Sequence, residues 1–178
     1  MTAKNNKVLT ISGSTRQKSV NQHLIESITR LYSDQLEFIP YIHLSELPHF
    51  NVDLDTETPP VEVVDLRNQL KMAAAVLICT PEYAMGVPGS LKNLLDWTVS
   101  SSDFSGKPVA VITASTSGEK AHESLIGTLR IIEAKVDEQA TLLISHAKAK
   151  VSSESKIIDE KTLEDVKKVM TALIRNLK

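Results

Sequence analysis

Several things are scarce in this sequence, and each scarcity excludes a class of protein. The chain holds one cysteine, Cys79, in 178 residues. With no second thiol to pair with, it has no internal disulfide, which points to a reducing cytoplasm and away from a stapled secreted scaffold. Long apolar runs are missing: the uncharged stretch from Met72 to Pro81 falls well short of the ~18–20 residues that cross a bilayer. No membrane association is expected. Residues 1–7 have no apolar region behind them of the kind that marks a secretory leader. Neither sign of charge is in excess, and a formal net charge of −2 gives no electrostatic drive toward nucleic acid or acidic membranes. The five histidines show no H-x-x-x-H spacing and no Cys/His cluster, so no metal site is expected. No G-x-S-x-G elbow is present, which leaves hydrolase chemistry without its nucleophile. Aromatic residues are only 4% of the chain, so an aromatic placed in a binding site has few competitors.

What is present is ordinary globular usage, 42% hydrophobic and 24% charged, enough for one self-sufficient domain over residues 1–178. Strand and helix signals alternate. Lys7–Ser12 is a short apolar run rich in β-branched residues and ended by Gly13. From Ser19, Leu24, Ile25, Ile28 and Leu31 recur at helical spacing, and Ser19 with Gln22 has capping-box spacing. Residues 36–41 read as a second strand, put at a sheet edge by Pro40. Residues 43–60 read as loop, and a helix is expected over 61–73. Residues 75–79 are continuously apolar, as in a parallel strand buried on both faces. A third helix is expected with Pro88 in its first turn. Strands follow at 109–113 and 140–144, with a helix near 121–134 between them. Residues 145–160, with serines among Lys148, Lys150 and Lys156, read as a solvated, mobile connection. A final amphipathic helix is expected over 163–177. Five strands alternating with five helices predict an open parallel α/β sheet, a three-layer sandwich of order 2-1-3-4-5. Ligands of such sheets bind beyond the carboxyl ends of the strands. Three loops are therefore of interest: 12–19, 80–90 and 114–120.

The first loop lacks both the G-x-G-x-x-G and the G-x-x-x-x-G-K-[ST] patterns. It places Ser14, Thr15 and Ser19 hydroxyls and the Arg16 guanidinium at a helix N-terminus, where backbone N–H groups and the helix dipole suit an anion. The plainer alternative has Gly13 turning the chain, Ser19 capping and Arg16 solvated. In the second loop, two prolines and two glycines stiffen the chain after the most buried strand, reducing the entropic cost of holding a flat ligand. Tyr83 lies there at the ligand edge, to pack near a heteroaromatic ring or to lie on the surface. Trp97 reads as a packing or subunit-contact residue. Cys79 reads as an inert small hydrophobe inside a strand, and His122 as a solvated residue at a helix start.

Gly13-Ser14-x-Arg16-x-x-Ser19-x-Asn21, together with Pro81-Glu82-Tyr83-x-x-Gly86-x-Pro88-Gly89-x-Leu91-Lys92-Asn93-x-x-Asp96-Trp97, resembles the NADPH-dependent FMN reductase family. These are flavodoxin-like quinone, chromate and azo-dye reductases, and the resemblance covers roughly residues 7 to 144. It implies that Ser14, Arg16, Ser19 and Asn21 hold the FMN phosphate. It implies that Pro81, Glu82, Tyr83, Ala84, Met85 and Gly86 lie against the isoalloxazine, bordered by Ser115, Thr116, Ser117 and Gly118. The pattern most often has asparagine where this chain has Ala84, and further glycines where it has Glu119–Glu123.

The resulting expectation is an FMN-dependent NAD(P)H oxidoreductase. Hydride passes from NADPH or NADH to flavin N5 and on to a small acceptor: a quinone, azo compound, metal oxyanion or free flavin. The cofactor carries the chemistry, so no catalytic side chain is assigned. A non-enzymatic flavin electron carrier or flavin-binding module is the alternative on the same fold, as is a domain that has lost its FMN. Apolar Tyr83, Met85 and Val87 on the flavin loop, with the helix leading to Trp97, predict burial by a neighbouring copy in a homodimer or tetramer.

Overall fold

The computed structural model describes residues 6–16 and 18–177; the reading of residues 1–7 as leaderless falls largely outside them. Five parallel strands, β1 (Lys7–Ser12), β2 (Glu37–Tyr41), β3 (Ala75–Thr80), β4 (Val109–Ala114) and β5 (Thr141–Ile144), form one sheet in the order β2-β1-β3-β4-β5. Four α-helices connect them, α1 (Val20–Leu31), α2 (Val61–Met72), α3 (Gly89–Asp96) and α4 (Glu119–Ile131), and a further helix, α5 (Glu160–Arg175), follows β5. The expected architecture and strand order are present. Pro40 lies on the edge strand, opposite Thr10, where its missing N–H costs no ladder bond on the open side.

Alternate side chains along each strand divide the core in two. Val8, Leu77, Cys79 and Ile112 meet Leu24 and Ile28 of α1 and Val166 and Met170 of α5. Leu9, Ile11, Ile78 and Val111 meet Leu66 and Leu70 of α2, Leu91 and Leu94 of α3, and Leu125 and Leu129 of α4. Every residue of β3 is buried, which is why its sequence shows no alternation. Each fully buried Leu or Ile contributes about 1.5–3 kcal/mol, so these two layers hold the strand ends, and the loops on them, in fixed register.

Helix ends depart from expectation where a local side chain decides them. The Ser19 hydroxyl accepts from the Gln22 N–H at 3.1 Å, but Gln22 reaches forward to Glu26 at 3.1 Å, so only half of the capping box forms. Pro88 stands just before α3 rather than in its first turn. α4 begins at Glu119, two residues early, and α5 at Glu160, three residues early, because Asp159 accepts from the Thr162 N–H at 2.8 Å and caps it. Trp97 is fully buried within its own chain. It stacks edge-on to Phe50 and donates to the Pro48 carbonyl at 2.8 Å. It is thus a packing residue that anchors the 43–60 loop, which contains one short 3-10 turn, Val52–Leu54.

Candidate cofactor site

The carboxyl ends of β1, β3, β4 and β5 enclose a cavity of about 420 Å³. Ser14, Arg16, Ser19, Val20 and Asn21 supply one side, Pro81, Glu82 and Tyr83 a second, and Ala114, Ser115 and Thr116 a third. Three distant loops thus meet, as the strand order requires. Ala84, Met85, Gly86, Ser117 and Gly118 border these residues in sequence but do not line the cavity.

Gly13 holds the first loop against β3. Its N–H donates to the Cys79 carbonyl at 2.8 Å, and a Cβ there would lie 2.2 Å from Thr80 Oγ1. Close approach, not a left-handed turn, requires glycine here. Beyond it, Ser14 Oγ accepts from the Arg16 N–H at 3.3 Å, and α1 opens into the cavity. Ser19 caps the Gln22 N–H, while the Val20 and Asn21 N–H groups, orphans of a first helical turn, have no acceptor among the described residues. Asn21 is buried. Its amide donates to the Ala114 carbonyl at 3.1 Å, and its Oδ1 has no partner among the described residues. A buried acceptor left open costs about 1–3 kcal/mol, a cost a hydroxyl-bearing ligand relieves.

Glu82 stitches two loops together. Its N–H donates to Ser115 Oγ at 3.3 Å, and its carboxylate accepts from Ser117 Oγ at 3.2 Å and from the Ala121 N–H at 3.0 Å. The residue at the α4 N-cap, Gly118, is left-handed (φ +97°) and brings no side chain of its own. Glu82 therefore supplies the acceptor from outside the helix, at the positive end of its dipole. The Ala121 N–H, with help from Ser117 and neighbouring backbone donors, holds the Glu82 carboxyl below its ordinary value. Next to it, Tyr83 and Gly86 exchange two N–H···O bonds of 3.0 Å, closing a tight turn. Both central residues, Ala84 (φ +48°) and Met85 (φ +60°), are left-handed, the geometry of a type I′ turn. Tyr83 is 49% exposed and Met85 71% exposed. Val87, expected to be exposed with them, is half-buried and packs on the core.

Two expectations are corrected here. His122 is not solvated: it is half-buried, bonds Thr113 Oγ1 through Nδ1 at 2.9 Å, and burial lowers its pKa, favouring the neutral ring. Residues 145–160 are not a free connection. His146, Ala147, Lys148 and Ala149 form a fourth wall of the cavity. They are tied to the third loop by His146 N–H to Thr116 O at 3.0 Å and Ala147 N–H to Ser115 O at 3.0 Å. The one available signal is topological, since β5 adjoins β4 and its exit loop must share their edge. Cys79 is buried in its strand as expected, and burial pushes its thiol pKa far up, leaving it inert.

The model of one protein family, NADPH-dependent FMN reductase, matches residues 6–149. The chain belongs to that family. A relative named NAD(P)H-dependent FMN reductase, from Pseudomonas aeruginosa, is 31% identical over 172 residues, covering 94% of this chain and 92% of its own. A quinone reductase of Escherichia coli is 29% identical, over 93% of this chain and 92% of its own. Among solved structures, the flavoenzyme NAD(P)H:(acceptor) oxidoreductase FerB of Paracoccus denitrificans superposes with a TM-score of 0.85 at 28% identity, covering 97% of both chains. The protein is an FMN-dependent NAD(P)H oxidoreductase with a flavodoxin-like fold. The FMN reductase cavity fits its cofactor chemically: hydroxyls, unpaired helix N–H groups and Arg16 suit a phosphate, and the open Asn21 Oδ1 suits a ribityl hydroxyl. Among the described residues, no helix is long and apolar enough to cross a membrane.

Proposed function

We propose that this reductase passes electrons from NADPH or NADH to small, flat acceptors of the quinone class, with metal oxyanions, azo compounds and free flavin as further acceptors. Bound FMN supplies the redox chemistry. The chain's own part is to bind, orient and leave one side open. Ser14, Arg16, Ser19 and Asn21 would hold the phosphate end, and Pro81, Glu82 and Tyr83 would carry the ring, with Ser115 and Thr116 along its border and the turn through Gly86 and the residues to Gly118 behind them. Of the backbone donors here, those of Glu82, Tyr83, Gly86 and Ser115 are engaged within the protein. Among the described residues of these two loops that line the cavity, the N–H of Thr116 would thus be the donor left to stabilise negative charge on a bound ring. No side-chain acid or base is assigned.

The observation that carries this reading is the convergence of the three loops on one cavity. It holds an open buried acceptor, Asn21 Oδ1, and a cation, Arg16, whose side chain has no partner among the described residues. Exposed Tyr83 and Met85 leave the ring side accessible to donor and acceptor in turn. A second copy of the chain covers their outer margin in a homodimer or higher assembly, and the site of action is the cytoplasm. The first test is a visible spectrum of the purified protein, followed by anaerobic titration with NADPH and NADH. Stoichiometric FMN, bleached by a nucleotide and reoxidised by excess quinone, is the expected result. Flavin that binds but turns over no quinone identifies an electron carrier instead, and failure to bind FMN removes the reading. Sedimentation at micromolar protein tests assembly, and a monomer at that concentration refutes it.

A further inference from the structure

The charged groups around the cavity are unequally committed. Glu82 is engaged at the α4 N-terminus. Arg16 and Lys148 are both exposed, and neither side chain has a partner among the described residues. Their loops come from opposite ends of the sequence, yet both border the first turn of α1. Asn21 donates to the Ala114 carbonyl at 3.1 Å. Ala147 donates to the adjacent Ser115 carbonyl at 3.0 Å. The α1 N-terminus and the residue before Lys148 thus flank one dipeptide of backbone, and Val20 and Ala147 pack on the same core cluster. Both side chains line the same cavity.

The loop bearing Lys148 is fastened a second time, farther along α1. Ser155 is buried, with a left-handed backbone (φ +57°) that serine does not favour. Its hydroxyl donates to Glu26 Oε2 at 2.5 Å and bonds His23 Nδ1 at 2.9 Å. Arg30 donates to the Ser155 carbonyl, and to that of Glu154 at 3.3 Å. Around the second fastening the chain doubles back, with Ser152 N–H to Lys156 O at 2.9 Å and Ile158 N–H to Lys150 O at 2.8 Å. The Ser–His–Glu grouping is not a nucleophile triad. The serine proton points to the carboxylate, and the histidine is not placed between them. It is a pin.

We propose that Lys148 is the second cation of the FMN phosphate subsite, facing Arg16 across the first turn of α1. The Glu26–Ser155 pin, together with the Ala147 bond to Ser115, positions it there. This rests on the reading that the first loop holds the phosphate. A phosphate monoester carries about −1.5 to −2 charges at neutral pH, up to about half a charge more than one guanidinium and a helix terminus (about +0.5) offset.

The test titrates full-length apoprotein with FMN and with riboflavin, which lacks the phosphate, following quenching of flavin fluorescence. Lys148→Met is expected to weaken FMN about tenfold or more, the worth of one charge-assisted hydrogen bond, and to leave riboflavin unchanged. Lys148→Arg is expected to retain FMN affinity. Ser155→Ala is expected to weaken FMN about threefold, and to shrink the effect of Lys148→Met when the two are combined, because an unpositioned lysine has less to lose. Equal losses for FMN and riboflavin, or none, overturn the assignment of Lys148. So does a raised NADPH KM with unchanged FMN affinity, which gives the lysine to the dinucleotide. Strictly additive effects overturn the pin. Arg16→Met separates the underlying reading. If it leaves the FMN-to-riboflavin ratio untouched, the phosphate does not sit at the first loop at all. If Arg16 matters and Lys148 does not, only the present proposal fails.

Discussion

The turn at residues 83–86 offers a prediction that separates two roles for one position. The family pattern most often places asparagine at the position of Ala84, either because its amide touches the flavin or because the backbone there is left-handed. The structure favours the second. Ala84 and Met85 have φ of +48° and +60°, and neither lines the cavity. A left-handed conformation costs a non-glycine residue about 1–2 kcal/mol. Met85→Gly relieves that and loses about 0.5–1 kcal/mol to chain entropy, for a net gain of about 0.5–1 kcal/mol. Ala84→Asn gains a similar amount, because asparagine tolerates the left-handed region and Asn-Gly is the preferred pair of a type I′ turn. Met85 is 71% exposed, so little burial is lost. The double variant is therefore expected to gain about 1–2 kcal/mol, or roughly 2–8 °C in Tm for a chain of this size. The melt must be run on apoprotein, since bound FMN raises Tm by mass action. FMN affinity is expected to stay within about twofold, the two side chains lying outside the cavity. An unchanged Tm with a tenfold gain in FMN affinity for Ala84→Asn refutes the conformational argument and restores the amide contact.

Three further outcomes follow from the same geometry. Glu82 has a depressed carboxyl pKa, so its link between the flavin loops is fully present above the ordinary value of 4.5 and is lost as pH falls below it through the folded value. Flavin fluorescence on acidification is expected to report FMN release in that window, and Glu82→Gln to flatten the curve; superimposable curves count against the link. Trp97→Phe removes the Nε1–H bond to Pro48 and leaves a void in a fully buried site, costing about 2–3 kcal/mol in urea denaturation. Gly127 sits exposed inside α4, and a Cβ added there would meet nothing within 4 Å. Gly127→Ala is therefore expected to gain about 0.5–1 kcal/mol in the same denaturation assay, with FMN affinity unaltered.

How far the sequence is legible depends on the range of the interaction that decides each feature. β3 announces itself because an unbroken apolar run has only one favourable place, between two helical layers. β2 announces its edge through Pro40. Helix starts are less visible: α5 begins at Glu160 because Asp159 accepts from Thr162, a short-range choice that the apolar stripe beginning at Leu163 does not register. His122 misleads because its polar look at a helix start conceals Thr113, a partner on the strand beneath. The first two loops of the site are legible because each is a contiguous stretch with its own turn chemistry.

The fourth wall is illegible for the opposite reason. Residues 145–160 look solvated, being rich in serine and lysine, and their order comes from groups far away in sequence: the carbonyls of Ser115 and Thr116, and Glu26, His23 and Arg30 on α1. None of these leaves a periodic trace. The same distance explains how a chain with a net charge of −2 can build an anion site. Its overall balance says nothing about the cavity, because Glu82, the one carboxylate on the wall among the described residues, is already held at the α4 N-terminus. The side chains of Arg16 and Lys148 remain uncommitted among the described residues, so the local charge is set by which partners the fold has consumed, not by how many charged residues the sequence contains.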